Sequence, residues 1–232
     1  LVLGIVCAFA ACGGNGGDDT TTADTTNAAA ASDLAYIKDK GTMIIGVTEY
    51  EPMNYKDEDG KWTGFDTEFA ELVCAKLGVK AEFVEINWDT KTTELKTKTI
   101  DAVWNGMTIK EELKDSMDIS DAYVLNAQVI VTKAENAEKY KDAEGIKEAA
   151  IAVESGSAGE EYAKSFEGTA FKGFIKQTDC LMEIKSGSAD FAVVDAQLAK
   201  SYVGKGDYAD LMIVDSIELS SEIYAVGFKK GS

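Results

Sequence analysis

The sequence predicts a two-lobe α/β protein, and three observations support this fold class. Short apolar strands alternate with helical patterns from residue 33 onward, and the alternation occurs in two successive runs. Extended apolar segments near residues 124–131 and 219–228 join these runs. Alternation of this kind is typical of mainly parallel sheets covered by helices. We therefore expect two α/β lobes with a cleft between them.

The first run contains the best-defined predicted helix, which opens at Gly64 and is followed by Gly78. Four apolar side chains share one face of this helix at helical spacing, namely Phe69, Leu72, Val73 and Leu77. The predicted elements of this run are strands 43–48, 79–86 and 101–104 and helices 64–77, 89–98 and 110–117.

The second run repeats the same rhythm and ends in an alternating strand. Its predicted elements are strands 150–153, 174–176, 190–194, 211–214 and 223–228 and helices 157–166, 179–185 and 195–203. We assign residues 33–125 together with 222–232 to lobe 1, and residues 126–221 to lobe 2.

The first twelve residues, LVLGIVCAFAAC, predict an exported lipoprotein precursor. The apolar run is too short for a bilayer span of about 20 residues, and small residues precede Cys12. Phe9 stands where this signal usually has Leu, and a basic start is missing, so we expect a segment truncated at its front. Residues 13–32 contain no large apolar side chain, which predicts a flexible tether. Cys12 would anchor the protein to a membrane on its extracytoplasmic face.

Composition excludes several function classes. The net charge is −18, so we expect no nucleic-acid partner. The chain has no His and no Arg, which excludes imidazole metal sites and Ser-His-Asp machinery, and we expect no metal and no cofactor. Cys7 leaves with the signal, and Cys74 and Cys180 each lie inside a helical pattern. We expect them to be two buried free thiols rather than a disulfide.

Ligands of open α/β sheets sit beyond the carboxyl ends of the strands. The first loop to consider, residues 49–53, carries Tyr50, which could cover a ligand or simply pack. The second, residues 105–108, offers Asn105, Gly106 and Thr108 for polar contacts and close backbone approach, or forms an ordinary turn.

Two further loops carry candidate binding groups for charged ligands, one for an anion and one for a cation. Ser157 with Glu160 forms a capping box, and the helix N-terminus there could receive an anion. Asp195, at the end of an apolar strand, could receive an ammonium group or serve only as a helix cap. Trp88 precedes a helix and could either form a wall of the cleft or pack in the core.

Taken together these segments resemble the solute-binding proteins of bacterial ABC importers for polar amino acids. The resemblance is carried, in order along the chain, by IIGVTEYEPMNY (44–55), DGKWTGFDTEFAELVCAKLG (59–78), TIDAVWNGMTIKEE (99–112), AVESGSAGEEYA (152–163) and KSGSADFAVVDA (185–196). It implies the type II periplasmic-binding-protein fold, in which two lobes joined by two crossing strands close on one ligand.

The resemblance also implies roles for residues and partners. The protein would bind a small polar amino acid, deliver it to an ABC permease, act as a monomer and catalyse nothing. A module that senses a ligand and signals to a membrane partner is an alternative role. Some dehydratases share the fold, but Glu49 is the only obvious acid or base for such chemistry. The implied roles are Tyr50 and Trp88 flanking the ligand, Gly106 and Thr108 binding its amino and carboxylate groups, Ser157 amides capping the carboxylate, Asp195 holding the ammonium and Glu49 tuning specificity.

One departure from the family concerns the carboxylate site. Leu113 stands where the family usually has an Arg that grips the α-carboxylate, and Lys110 stands where Thr is common. Either Lys110, Thr108 and the helix N-terminus at Ser157 hold the carboxylate together, or the ligand is a small amine or another polar solute that lacks this carboxylate. The family also continues past the second crossing with a helix on lobe 1, so we expect that part of lobe 1 to be missing.

Overall fold

The computed structural model describes residues 32–166, 169–215, 219 and 221–232. The predicted signal segment, with Cys7 and Cys12, lies outside the described residues, as does the predicted tether up to residue 31. Ser32 is described, and it belongs to the fold: its Oγ accepts a hydrogen bond from the amide of Ala35 and caps the first helix. A bilayer-spanning helix is not found in the described part of the chain.

The described strands and helices alternate through both halves of the chain. The strands are β1 (Thr42–Val47), β2 (Tyr55–Lys56), β3 (Trp62–Thr63), β4 (Lys80–Glu85), β5 (Ala102–Thr108), β6 (Met117–Ile119), β7 (Val124–Lys133), β8 (Ala150–Glu154), β9 (Ala170–Phe174), β10 (Phe191–Asp195), β11 (Leu211–Val214) and β12 (Ser221–Lys229). The helices are α1 (Asp33–Lys40), α2 (Phe65–Leu77), α3 (Lys91–Thr97), α4 (Glu111–Ser116), α5 (Ala143–Ile146), α6 (Ala158–Ser165), α7 (Gln177–Ser186) and α8 (Ala196–Tyr202).

Two strands cross between the halves and join them into one sheet path. The order is β4-β1-β5-β12-β7-β10-β8-β9, with β6 on β12 and β11 on β7. The segments 124–127 of β7 and 221–224 of β12 pair with each other, and the rest of each strand pairs within one half. We call the half that contains β1, β4 and β5 lobe 1 and the half that contains β8 to β11 lobe 2. The predicted two-lobe α/β fold with two crossing strands is therefore confirmed.

Each lobe has its own apolar core between sheet and helices. In lobe 1, α2 buries Ala70 and Cys74 against Ile45 and Val47 of β1. In lobe 2, α7 buries Cys180 and Leu181 against β10 and α8. Both thiols are free and buried, as the sequence predicts.

Three local predictions are wrong. Leu72 is exposed, because α2 turns Ala70 and Cys74 rather than Leu72 towards the sheet. The strand predicted at 174–176 lies earlier, at β9, because residues 170–174 pair with β8. Residues 105–108 form no loop but continue β5, since β12 pairs with them across a register shift that accommodates Gly106.

Gly64 fixes the loop that carries Tyr50 onto the start of α2. The carbonyls of Pro52 and Met53 accept the amides of Phe65 and Asp66, which satisfies orphan donors of the helix N-terminus. The backbone of Gly64 has φ 113° and ψ 173°, a region open essentially to glycine alone. A Cβ there would lie 2.5 Å from the Met53 carbonyl oxygen.

Gly64→Ala should therefore lower the free energy of unfolding by at least about 2 kcal/mol, because backbone strain and a backbone clash add. Gly60→Ala is the matched control: Gly60 also has positive φ, but its Cβ would meet open space. We expect it to cost about 1 kcal/mol. Urea unfolding of both variants measures the difference, and equal losses would show that the contact with Met53 is unimportant.

Candidate functional site

A closed cleft lies between the two lobes. Its cavity measures about 20 Å³, which is space for about one water molecule. A solute of amino-acid size can enter only when the lobes separate. The residues that line the cleft are Tyr50, Trp88, Lys91, Asn105, Gly106, Met107, Thr108, Lys110, Leu113, Glu154, Gly156, Ser157, Ala158, Gln177 and Asp195.

Lysine side chains hold the lobes together around this cleft. Lys176 of lobe 2 pairs with Glu49 at 2.9 Å and with Glu85 at 2.7 Å, both in lobe 1. Burial opposes its charge, but the two carboxylates raise the pKa of Lys176 well above its usual value. On another side Lys110 of lobe 1 pairs with Glu161 of lobe 2 at 2.7 Å. Glu49, expected to tune specificity, thus contacts Lys176, and among the predicted ligand-binding residues, all of which the structure describes, it alone is outside the cleft lining.

Asp195 is the most completely hydrogen-bonded carboxylate of the cleft. Its Oδ1 accepts from Asn126 Nδ2 at 2.6 Å, Gln128 Nε2 at 2.7 Å and Tyr224 Oη at 2.9 Å, and its Oδ2 accepts from Gln177 Nε2 at 2.5 Å. Burial raises its pKa to about 6 despite these bonds, and Glu222 adds to the rise. Asp195 occupies the N-cap position of α8, yet its side chain accepts no amide there. The helix-cap interpretation is therefore wrong.

Tyr50 reaches Asp195 through a second tyrosine. The hydroxyls of Tyr50 and Tyr224 lie 2.5 Å apart, and their rings meet edge to face. Gly106 makes room for both rings, because a Cβ on it would lie 2.6 Å from Tyr50 Cε1 and 3.0 Å from Tyr224 Cε2. Tyr50 thus both packs and lines the cleft, and the two interpretations left open by the sequence are compatible.

The crossing strands carry polar groups that the sequence reasoning missed. Glu222 on β12 is buried and accepts from Thr108 Oγ1 at 3.0 Å, from Asn126 Nδ2 at 3.2 Å and from Gln128 Nε2 at 3.0 Å. The amides of Asn126 and Gln128 are shared between Glu222 and Asp195. The strands that join the lobes are therefore tied directly to the cleft. The sequence does contain a signal for these groups, because they are polar residues inside otherwise apolar strands.

Glu154 and Lys91 are a buried acid and a buried base that line the cleft. The sequence reasoning did not identify either of them as a candidate site residue. Burial, together with the charge of Asp195, raises the pKa of Glu154 to about 8. Burial, together with the charge of Lys110, lowers the pKa of Lys91 to about 8. Both shifts disfavour the charged forms.

The remaining predicted residues line the cleft with part of their bonding capacity already used. Asn105 accepts the amide of Thr48 at 2.6 Å and donates to its hydroxyl, which ties two strand ends together. Trp88 and Leu113 both line the cleft and pack in the core cluster beneath it. Burial opposes the charge of Lys110, but its bonds to Glu161 and Glu112 raise its pKa.

The start of α6 shows the expected capping interaction, but the Glu160 carboxylate bonds the amide of Gly156 instead of the amide of the N-cap residue Ser157. Ser157 Oγ accepts the amide of Glu160 at 3.1 Å, as in a capping box. The carboxylate of Glu160 accepts the amide of Gly156 at 2.5 Å, while the amide of Ser157 donates to the carbonyl of Glu154. The Ser157 amide is therefore already occupied in this closed arrangement, and Ala158 is the first residue of the helix that lines the cleft.

Two lobes joined by two crossing strands and closed over a polar cleft define a solute-binding protein of the two-lobe type. A comparison with family models agrees. Residues 43–231 match the model of bacterial extracellular solute-binding proteins, family 3. The chain belongs to this family.

Proteins similar to this chain are named as amino-acid-binding proteins. L-cystine-binding protein TcyJ of Escherichia coli (strain K12) is 29% identical over 198 residues, which cover 84% of this chain and 74% of TcyJ. The arginine-bound form of a truncated ArgBP from T. maritima is 34% identical with a TM-score of 0.79, covering 84% of this chain and 91% of that one.

Two further structures bear on transport and on catalysis. A histidine-bound substrate-binding protein of an ABC uptake transporter from Streptococcus pneumoniae is 25% identical with a TM-score of 0.78, covering 86% of this chain and 84% of that one. The ancestral amino acid-binding protein AncCDT-1, a precursor of cyclohexadienyl dehydratase, is 33% identical with a TM-score of 0.79, covering 86% and 87%.

A buried carboxylate behind the cleft predicts an unusual pH dependence of stability. Asp66 accepts the amide of Gly106 at 2.6 Å and the hydroxyl of Tyr123 at 2.9 Å, and burial raises its pKa to about 6. Because the folded chain binds this proton more tightly than the unfolded chain, Asp66 and Asp195 should raise the free energy of unfolding as the pH falls from 7 to 5.

Asp66→Asn should reduce this gain, because the amide carries no titrating proton. Urea unfolding at pH 7 and pH 5 measures the gain for each protein. Asp207→Asn, which changes an exposed carboxylate outside the cleft, should leave the gain as in the wild type. An unchanged gain in Asp66→Asn would show that Asp66 stays ionised at pH 5.

Proposed function

We propose that this chain is an extracytoplasmic binding protein that captures a small polar amino acid between its lobes and delivers it to an ABC importer. The observation that carries the proposal is the buried carboxylate of Asp195, which lines the cleft and is held by four neutral donors. Neutral donors stabilise a carboxylate without cancelling its charge, so the group remains suited to an ammonium ligand.

The chemistry of the cleft fits a zwitterion. Asp195 supplies an acidic group and Lys91 a basic one, and both line the same closed cavity. Membership of a solute-binding family and the amino-acid ligands named for its relatives support the same substrate class. An amine without a carboxylate is the alternative ligand.

A catalytic role is the second candidate function, and Glu154 favours it more than Glu49 does. Glu154 is buried in the cleft with a pKa raised to about 8, as a general acid requires, whereas Glu49 pairs with Lys176. Family membership argues for binding alone, and we propose no reaction. Product analysis after incubation with the bound amino acid decides, because a binding protein returns it unchanged.

Lipid anchoring at Cys12 is part of the proposal and rests on the sequence of residues 1–12 alone. Intact-mass analysis of protein made in a native host should show a mature chain that begins at Cys12 and carries a diacylglyceryl mass. The Cys12→Ser variant should lack this mass and leave the membrane fraction. A mature N-terminus elsewhere would contradict the anchor but not the binding function.

Asp195→Asn should weaken binding at least tenfold, because it removes a charge-assisted hydrogen bond that contributes roughly 1.5–3 kcal/mol. Calorimetry with the best ligand from a thermal-shift screen of L-amino acids and amines measures the loss. Asp179→Asn, an exposed carboxylate on α7, is the control and should bind as the wild type does. Unchanged affinity in a folded Asp195→Asn variant would remove Asp195 from the ligand site.

A further inference from the structure

Lys91 is a lysine buried inside the cleft. Its side chain belongs to the first residue of α3 in lobe 1, and the residue is 5% exposed. Its Nζ donates to the carbonyl of Trp88 at 3.0 Å and, across the cleft, to the carbonyl of Gly156 at 2.9 Å. The same ammonium lies 4.7 Å from the centre of the Trp88 ring.

The charge of Lys91 is not matched by an ion pair within the described residues. Lys110 pairs with Glu112 and Glu161, and Lys176 pairs with Glu49 and Glu85, but no carboxylate of the described part lies within 4.0 Å of Lys91. An ammonium group has three N–H donors, and two of them meet carbonyl oxygens. One donor therefore remains, and the positive charge of this buried group is met by two carbonyl oxygens and the Trp88 ring rather than by an anion of the described residues.

A buried unpaired charge is costly, and an anion beside it would recover that cost. The shift of the Lys91 pKa to about 8 is the expected sign of this deficit. Glu154 is the acid whose field acts most on Lys91, yet it lies beyond ion-pair distance and its own pKa is raised. Since Glu154 does not pair with Lys91, an anion that enters the cleft from outside would supply the missing partner.

We propose that Lys91 binds the carboxylate of the ligand, so that the cleft selects compounds carrying an ammonium and a carboxylate group together. This inference rests on the proposed function and resolves the question raised by Leu113. Leu113 lines the cleft with an apolar side chain, and the charge of Lys110 is already paired with two carboxylates. Lys91 lines the same cleft with its charge unpaired.

The position of Lys91 also places the carboxylate near a second favourable group. Lys91 touches the carbonyl of Gly156, two residues before α6 begins. The first turn of a helix carries partial positive charge and amides without intrahelical partners. A carboxylate on Lys91 would therefore lie close to the start of α6.

The test compares two probes on matched variants. The probes are the L-amino acid that binds most tightly in a panel of the twenty L-amino acids and L-cystine, and the α-carboxamide of that same amino acid, which lacks the negative charge. Calorimetry gives both dissociation constants for the wild type, Lys91→Met, Lys110→Met and Lys176→Met. Circular dichroism and urea unfolding confirm that each variant is folded.

We expect the wild type to prefer the amino acid over its amide by more than about tenfold, as for a hydrogen bond between charged groups. Lys91→Met also removes the contact with the Gly156 carbonyl, so both probes should weaken, but the amino acid should lose at least about tenfold more affinity than the amide, which abolishes the preference. Lys176→Met removes a contact between the lobes, so it should weaken the binding of both probes by the same factor and keep the preference for the amino acid. If Lys91→Met does not fold, Lys91→Gln should show the same loss of preference.

Three results would overturn the inference. The first is a preference that survives in Lys91→Met or Lys91→Gln, and the second is one that disappears in Lys110→Met alone. The third is a wild type that binds amide and amino acid equally. These outcomes leave the binding function standing, whereas a chain that binds only amines, or none of the amino acids, amides or amines, would overturn the proposed capture of an amino acid itself.

Discussion

The carboxylate of Asp195 accepts hydrogen bonds from four side chains that belong to both crossing strands and to a helix of lobe 2. Asn126 and Gln128 lie on β7, Tyr224 lies on β12 and Gln177 begins α7. Leaving such a group unbonded in a buried site would cost several kcal/mol. Satisfying it requires the crossing strands and α7 to keep one relative position. The proposed ligand site and the connection between the lobes therefore share the same hydrogen bonds.

Charge in the cleft is arranged in two different ways. At the margins, Lys110 and Lys176 pair with carboxylates of the opposite lobe, and such partly exposed pairs contribute modestly and weaken with salt. Inside, the acids and Lys91 are desolvated and are bonded mainly to neutral partners. The marginal pairs thus favour closure, while Asp195 and Lys91 in the interior have no ion-pair partner among the described residues.

The sequence predicted the fold class and most strand ends because these depend on local patterns. Asp195 and Tyr50 were expected beside the cleft because each stands at or shortly after the end of an apolar strand, and both line it. Residues 105–108 were misassigned because their continuation as a strand depends on β12, more than a hundred residues later. Lys91 and Glu222 were missed for a similar reason: a lysine in a polar helix and a glutamate in an alternating strand look exposed until the lobes meet over them.

A crystal structure of the protein with its tightest-binding amino acid would show directly which groups hold the ligand. We expect the ammonium nitrogen of the ligand within about 3 Å of an Asp195 oxygen and its carboxylate within about 3 Å of Lys91 Nζ, both inside the closed cleft. A ligand bound in the reverse orientation, with its carboxylate towards Asp195, or one bound outside the cleft, would contradict this expectation.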